Sequence, residues 1–151
     1  MILTTEYKPE YREQTLQLVQ DFEKEFFGEF GLETNLEAFD EAIDALKGAC
    51  FILLIDGKIE GALAGTIVKS FCSKGLTWHE TLWYVRKKYR NPMYGYGIAL
   101  FEKACEALKA RGVRTMMTAH LNNDIGKKMG RMYKSLGFRG FETHYIKRID
   151  D

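Results

Sequence analysis

Two glycines one residue apart, Gly95 and Gly97, stand between a strand-like run and a strong helical pattern. The run is Thr81-Leu82-Trp83-Tyr84-Val85, and the helical pattern continues through Ile98-Ala99-Leu100. Glycines at such a junction let the backbone turn tightly and bring bare N–H groups close to an anion. A strand–turn–helix unit that returns as a strand normally makes the two strands parallel. Further on, Tyr133-Lys134-Ser135-Leu136-Gly137-Phe138 ends another helical pattern on a glycine backed by an aromatic ring. Together the motifs suit a phosphate-bearing coenzyme and a positioned proton donor.

Around this unit the elements follow in order. Ile2 to Tyr7 reads as a first strand, and Pro9 suits a helix start. Leu16, Val19, Phe22, Phe26 and Phe27 recur at helical spacing until Gly28 and Gly31 break it. Thr34-Asn35-Leu36-Glu37 has the form of a capping box, followed by Leu36, Phe39, Ile43 and Leu46. Cys50 to Ile55 is an apolar strand, Asp56-Gly57 a hairpin turn, and Lys58 to Lys69 the partner strand. Gly61 and Gly65 within it mark bulges or close contacts.

Ser70 to Gly75 leads to an aromatic-rich strand, Trp78 to Val85. The helix from Ile98 to Ala110 carries Leu100, Phe101, Ala104, Cys105 and Leu108 on its apolar side, and Gly112 closes it. Val113 to His120 returns as a strand. Asn122, Asn123 or Asp124 caps a last helix with the stripe Ile125, Met129, Met132, Tyr133 and Leu136. Phe141 to Ile149 alternates as a final strand, with room for a short one near Phe138. The order predicts an α/β (α+β) chain: one mixed, mostly antiparallel sheet of six to seven strands, helices on both faces, strands four and five parallel.

Composition narrows the class. A chain of 151 residues suits one core, and 46% hydrophobic with 13% aromatic residues argues against a disordered chain. No apolar run approaches ~20 residues, so no transmembrane helix and no membrane partner are expected. The start, Met1-Ile2-Leu3-Thr4-Thr5-Glu6, lacks the basic and apolar regions of a signal peptide. Cys50, Cys72 and Cys105 read as free thiols of a reducing cytosol, so a cytoplasmic location is expected. His79, His120 and His144 are scattered singly, and no metal site is expected. Charge is segregated: residues 6–45 hold twelve acids and three bases, and the rest carries net +10. Such asymmetry suits one cationic and one anionic partner, or two ordinary solvated faces.

This order, with the two motifs, resembles the GNAT superfamily of acyl-CoA N-acyltransferases over nearly the whole chain. The family's coenzyme motif, Arg/Gln-x-x-Gly-x-Gly/Ala, is matched at Gly95 and Gly97, with Pro92 in place of the Arg/Gln. The family's Tyr-x-x-x-Gly-Phe helix end matches Tyr133, Gly137 and Phe138, and its acidic residue at the start of the fourth strand matches Glu80. Arg90-Asn91-Pro92-Met93-Tyr94 is longer than the usual turn, and Asn122 lies further from Tyr133 than the family's asparagine does.

The resemblance implies a single N-acetyltransferase domain over 1–151, with strands four and five splayed apart. It implies acetyl-CoA as co-substrate, its pyrophosphate on the backbone of Met93, Tyr94, Gly95, Tyr96, Gly97 and Ile98. Arg90 is a candidate to add charge to a phosphate, and Tyr84, Val85 and Asn122 to contact pantetheine. The reaction implied is direct attack by a primary amine, with Glu80 as candidate general base and Tyr133 as candidate general acid. A phenol with pKa ~10 stays protonated where a thiol of ~8.5 is leaving. His79 as base, and Cys72 or Cys105 as acyl carriers, are weaker alternatives. The acidic first helices favour a cationic acceptor, a small molecule or a peptide amine. The rival reading is a non-catalytic CoA-binding or interaction module on the same fold. A nucleic-acid partner for Arg86-Lys87-Lys88-Tyr89-Arg90 is the weakest reading, since a phosphate site explains those charges equally well. A homodimer is left open.

Overall fold

The computed structural model describes residues 1–28, 34–46, 48–69, 74–147 and 149. Among them the elements run β1 (Ile2–Glu6), α1 (Arg12–Phe26), α2 (Leu36–Ala45), β2 (Cys50–Ile55), β3 (Lys58–Lys69), β4 (Leu76–Val85), α3 (Tyr96–Ala110), β5 (Val113–Met117) and α4 (Asp124–Ser135). Residues Met1–Thr118 form one compact unit and Ala119–Asp151 a second. The first holds the sheet, in the order β1-β2-β3-β4-β5, antiparallel throughout except for the parallel pair β4–β5.

The sheet is covered on both faces because β2 is apolar at every position. Its whole length is buried. Side chains alternate along a strand. Cys50, Ile52 and Leu54 therefore join Leu18 of α1 in one cluster, edged by Phe22 and Phe26. Phe51 and Leu53 face the opposite way, toward α3, whose Leu100, Ala104 and Leu108 are buried. The β2–β3 hairpin turns at Asp56 and Gly57, both at positive φ (50° and 77°), which matches strand twist in a two-residue turn.

One irregularity shapes β4. Ala64 pairs with Leu82 and Gly65 with Glu80, so Thr81 is the extra residue of a bulge. A Cβ on Gly65 would lie 2.3 Å from the His79 carbonyl oxygen and 2.4 Å from the Trp78 ring. Glycine is what lets the two strands close there, as its place in the sequence suggested.

Several expectations need correction. The sheet has five strands among the described residues, not six or seven. Phe141 to Ile149 forms no strand at its described positions, and there is none near Phe138. Alternation supplies a face to bury, but a strand exists only by pairing. Pro9 opens a short 3-10 turn, Pro9–Tyr11, and α1 starts at Arg12. The cap of α2 is Asn35, whose side chain accepts from the Ala38 amide, while Thr34 donates its hydroxyl to Glu23. Helix α3 begins at Tyr96, two residues earlier than its apolar stripe indicates. Gly31, Cys72 and the 70–73 part of the Ser70–Gly75 connection lie outside the described residues. No described helix is long and apolar enough to cross a membrane.

Candidate active site

The β4–β5 ladder starts at Leu76 with Val113 and ends at His79 with Met117, yet β4 runs on to Val85. The ladder stops where β5 itself ends, at Met117, so residues 80–85 of β4 continue past the last residue of β5. Glu80 is the first β4 residue beyond the ladder and sits beside the Thr81 bulge, half-buried. His79 is the last residue still in the ladder. Trp83, Tyr84 and Val85 are buried at the strand's end, with the Trp83 ring stacked on Phe101 of α3 at 5.9 Å.

From Val85 the chain enters a loop built of two 3-10 turns, Lys87–Tyr89 and Pro92–Tyr94. The Asn91 side chain accepts from the Met93 amide at 3.0 Å and starts the second turn. Gly95 ends it in the left-handed region, φ 65°. That conformation disfavours a side chain, and it aims the following amides along the axis of α3. The first helical bond is Ala99 N–H to Gly95 C=O, 2.9 Å. The amides of Tyr96, Gly97 and Ile98 precede it and have no intrahelical acceptor. Beside Gly97 the space is open: a Cβ there would meet only Trp83 Nε1, at 3.9 Å. Close packing does not require this glycine, so the open face is available to a ligand. Bare amides, the helix dipole and that open face fit a pyrophosphate.

Arg90 occupies a different setting from the other loop residues. Its Nη1 and Nη2 donate to the Glu25 carboxylate at 2.5 and 2.8 Å, and its Nε donates to the Val85 carbonyl at 2.5 Å. Its guanidinium also lies 4.9 Å from the centre of the Tyr84 ring. The Tyr84 hydroxyl donates to the same carboxylate, 2.8 Å. Arg90 is thus committed to Glu25 and the strand end. Hydrogen bonding from Arg90 holds the Glu25 carboxyl below its usual pKa, against burial. Burial first, then the bond to Glu25, pushes the Tyr84 phenol up to about 12.

A parallel pair lies one helical turn earlier. Arg86 binds Asp21 and, through Nε, Glu60 at 3.0 Å. Two acids of α1, Asp21 and Glu25, are therefore partners of two bases of the run after β4, Arg86 and Arg90. Sequence reading missed Glu25, Asp21 and their role. The signal was present: Asp21/Glu25 and Arg86/Arg90 share a spacing of four.

In the second unit, the Tyr133 hydroxyl donates to the Ala119 carbonyl at 2.7 Å, and the residue is 6% exposed. The His120 ring sits 6.3 Å from it, with Nδ1 2.9 Å from the Leu121 carbonyl. A carbonyl only accepts, so Nδ1 carries the proton. Asn123, not Asn122, caps α4, accepting from the Gly126 amide at 2.8 Å. Asn122 is exposed just before it. Of the candidate acyl carriers, Cys105 is half-buried with its thiol pKa raised by burial. Buried Cys50 is pushed up to about 12 by the same cause, so neither is a ready thiolate.

The model of the acetyltransferase (GNAT) family matches residues 15–138. The chain belongs to that family of acyltransferases. Solved structures share the fold end to end. An aminoglycoside acetyltransferase from an uncultured soil metagenomic sample matches with TM-score 0.77 and 20% identity, covering 99% of each chain. AAC(6')-Iy, solved with a CoA bisubstrate analogue, matches with TM-score 0.74 and 15% identity, covering 100% of this chain and 99% of that one. The ribosomal-protein-alanine N-acetyltransferase of Brucella melitensis biovar Abortus 2308 gives TM-score 0.77 at 10% identity, covering 98% and 99%. No curated protein matches the sequence significantly.

Proposed function

We propose that this protein transfers the acetyl group of acetyl-CoA to a primary amine by direct attack. The observation that carries the reading is the run of β4 past its ladder into a loop that ends on the bare amides of Tyr96, Gly97 and Ile98. In this reading those amides, with the backbone of Met93, Tyr94 and Gly95, take the pyrophosphate. The strand end at Tyr84 and Val85 takes the pantetheine arm, pairing as a peptide strand would, and Asn122 is a candidate contact to that arm. Arg90 acts on the donor by fixing the Val85 carbonyl, since Glu25 already matches its charge. Residues 1–151 act as one acetyltransferase domain, a reading supported by a family match that runs from the first compact unit into the second, residues 15–138.

Glu80 serves as general base for the ammonium of the acceptor, directly or through a water. A lysine-like amine with pKa ~10.4 is mostly protonated at neutral pH and must lose a proton before attack. As the amine adds to the thioester carbon, the C–S bond breaks and the thiolate leaves. Tyr133 returns a proton to that sulfur. The acceptor is a cationic amine. Glu37 and Glu41 of α2 are exposed one turn apart, which supports this class, as do aminoglycoside acetyltransferases among the similar folds.

One observation favours the non-catalytic reading: the Tyr133 hydroxyl is already bonded to the Ala119 carbonyl. Turnover separates the two. Release of free CoA from acetyl-CoA with a pooled library of primary amines is expected. Binding of acetyl-CoA without any amine-dependent release would leave a binding module.

A further inference from the structure

We propose that Tyr94 is the stacking platform for the adenine ring of the donor, an inference that rests on the donor-loop reading above. Tyr94 closes the 3-10 turn one residue before Gly95. Its ring lies 5.1 Å from that of Tyr96 and nearly parallel to it, at 18°. Tyr96, the first residue of α3, meets Tyr89 edge-on at 6.0 Å, and the Lys88 ammonium sits 4.7 Å over Tyr89. The row is braced from behind, yet Tyr94 at its outer end stays 51% exposed and its neighbour Met93 92% exposed. A ring with one face covered by Tyr96 and half its surface in water offers the rest of that surface to a planar partner.

The chemistry of the donor supplies such a partner. Adenine is joined to the pyrophosphate through a single ribose, so with the phosphates on the α3 amides the base lands within a ribose length of them. Tyr94 lies two residues before the first of those amides, its ring stacked on that of Tyr96. Stacking needs only the π-face of the base. Because Tyr96 already holds the Tyr94 ring, little side-chain freedom is lost on binding.

The test compares acetyl-CoA with S-acetyl-phosphopantetheine, which lacks the 3′-phosphoadenylate half and keeps one phosphate, by calorimetry and by displacement of acetyl-CoA. Wild type, Tyr94→Ala and Tyr94→Phe are measured, with melting temperature as a check on the fold. Tyr94→Ala should weaken acetyl-CoA about tenfold, the usual range for one base–aromatic stack, and leave the shorter donor unchanged. Tyr94→Phe should bind as wild type. Equal losses for both donors would assign Tyr94 to the loop's shape, and an unchanged acetyl-CoA affinity in Tyr94→Ala would remove the adenine contact alone. Wild-type protein that binds neither donor would overturn the donor reading itself.

Discussion

Arg90 grips Glu25 through two parallel hydrogen bonds of 2.5 and 2.8 Å, joining helix α1 to the loop that follows β4. The guanidinium does this while donating to the Val85 carbonyl, so one side chain links the acidic first helix to the end of the donor strand. Both side chains are about three-quarters covered, at 23% and 26% exposure. Removing either leaves a half-buried charge without its partner. Glu25→Gln and Arg90→Met are each expected to cost about 1–2 kcal/mol, discounted for the remaining solvent. The double variant should cost less than the two losses together. Urea unfolding with an unchanged slope measures this, and additive losses would mean that the pair does not interact. In kinetics the same variants should raise the acetyl-CoA KM and spare kcat.

Acid should undo this link before it undoes the core. The Glu25 pKa is lowered, chiefly by Arg90. Burial pushes Asp21 upward, but Arg86 and Gln17 outweigh it, and its pKa is lowered too. A lowered folded pKa gives stability that is complete above the unfolded value, ~4 for these carboxyls, and is lost as pH falls through the folded value. Stability should therefore hold down to about pH 5 and decline below about pH 4. The decline should be shallower in Glu25→Gln, which has one carboxylate fewer to protonate. A wild-type and a variant curve of the same slope would contradict the assignment.

Gly95 and Gly97 should fail for different reasons. Gly95 sits at φ 65°, so Gly95→Ala strains the backbone by roughly 1 kcal/mol and shifts the amides it aims. Gly97→Leu meets only Trp83 Nε1, at 3.9 Å, as its Cβ enters open space. It should fold with a near-normal melting temperature and lose acetyl-CoA binding. Calorimetry with acetyl-CoA decides, and tight binding by Gly97→Leu would move the pyrophosphate elsewhere.

Gly65→Ala tests the bulge. The new methyl would lie 2.3 Å from a backbone oxygen, which cannot swing aside as a side chain does. A loss of about 2–3 kcal/mol, in the range of overpacked cores, is expected in thermal unfolding. Exposed Gly140, with nothing within 4 Å of its Cβ position, serves as the control. Equal effects at the two sites would show that β3 and β4 do not close at Gly65.

Features set by local chemistry were legible in the sequence. The Asp56-Gly57 turn, the tight approach at Gly65 and the glycines that open α3 each follow from what one or two residues permit. Features set by distant partners were not. Thr34 looked like the α2 cap, but Asn35 takes that position and Thr34 turns to Glu23, eleven residues back. The alternation of Phe141 to Ile149 shows which residues share a face, not whether another strand pairs with them. The segregated charge suggested two external partners or two ordinary solvated faces. Part of it is instead matched internally, Asp21 with Arg86 and Glu25 with Arg90.

Tyr133 carries the sharpest test of mechanism. Its hydroxyl donates to the Ala119 carbonyl at 2.7 Å, and its ring packs 5.6 Å from Phe138. Tyr133→Phe keeps the ring and removes one hydrogen bond, so the fold should lose only about 1 kcal/mol. If Tyr133 protonates the departing thiolate, turnover should fall ~100-fold or more while acetyl-CoA affinity stays unchanged, because the proton is needed only as the C–S bond breaks. Glu80→Gln should act on the other reactant. It removes the base, so its rate should recover toward wild type at high pH, where more of the amine is already free. Tyr133→Phe should show no such recovery with a pooled amine library. A cationic acceptor drawn to acidic helices should also bind more weakly as salt rises. Wild-type turnover in Tyr133→Phe would reduce that residue to holding the Ala119 carbonyl. Glu80→Gln with an unshifted pH profile would return the proton of the amine to solvent.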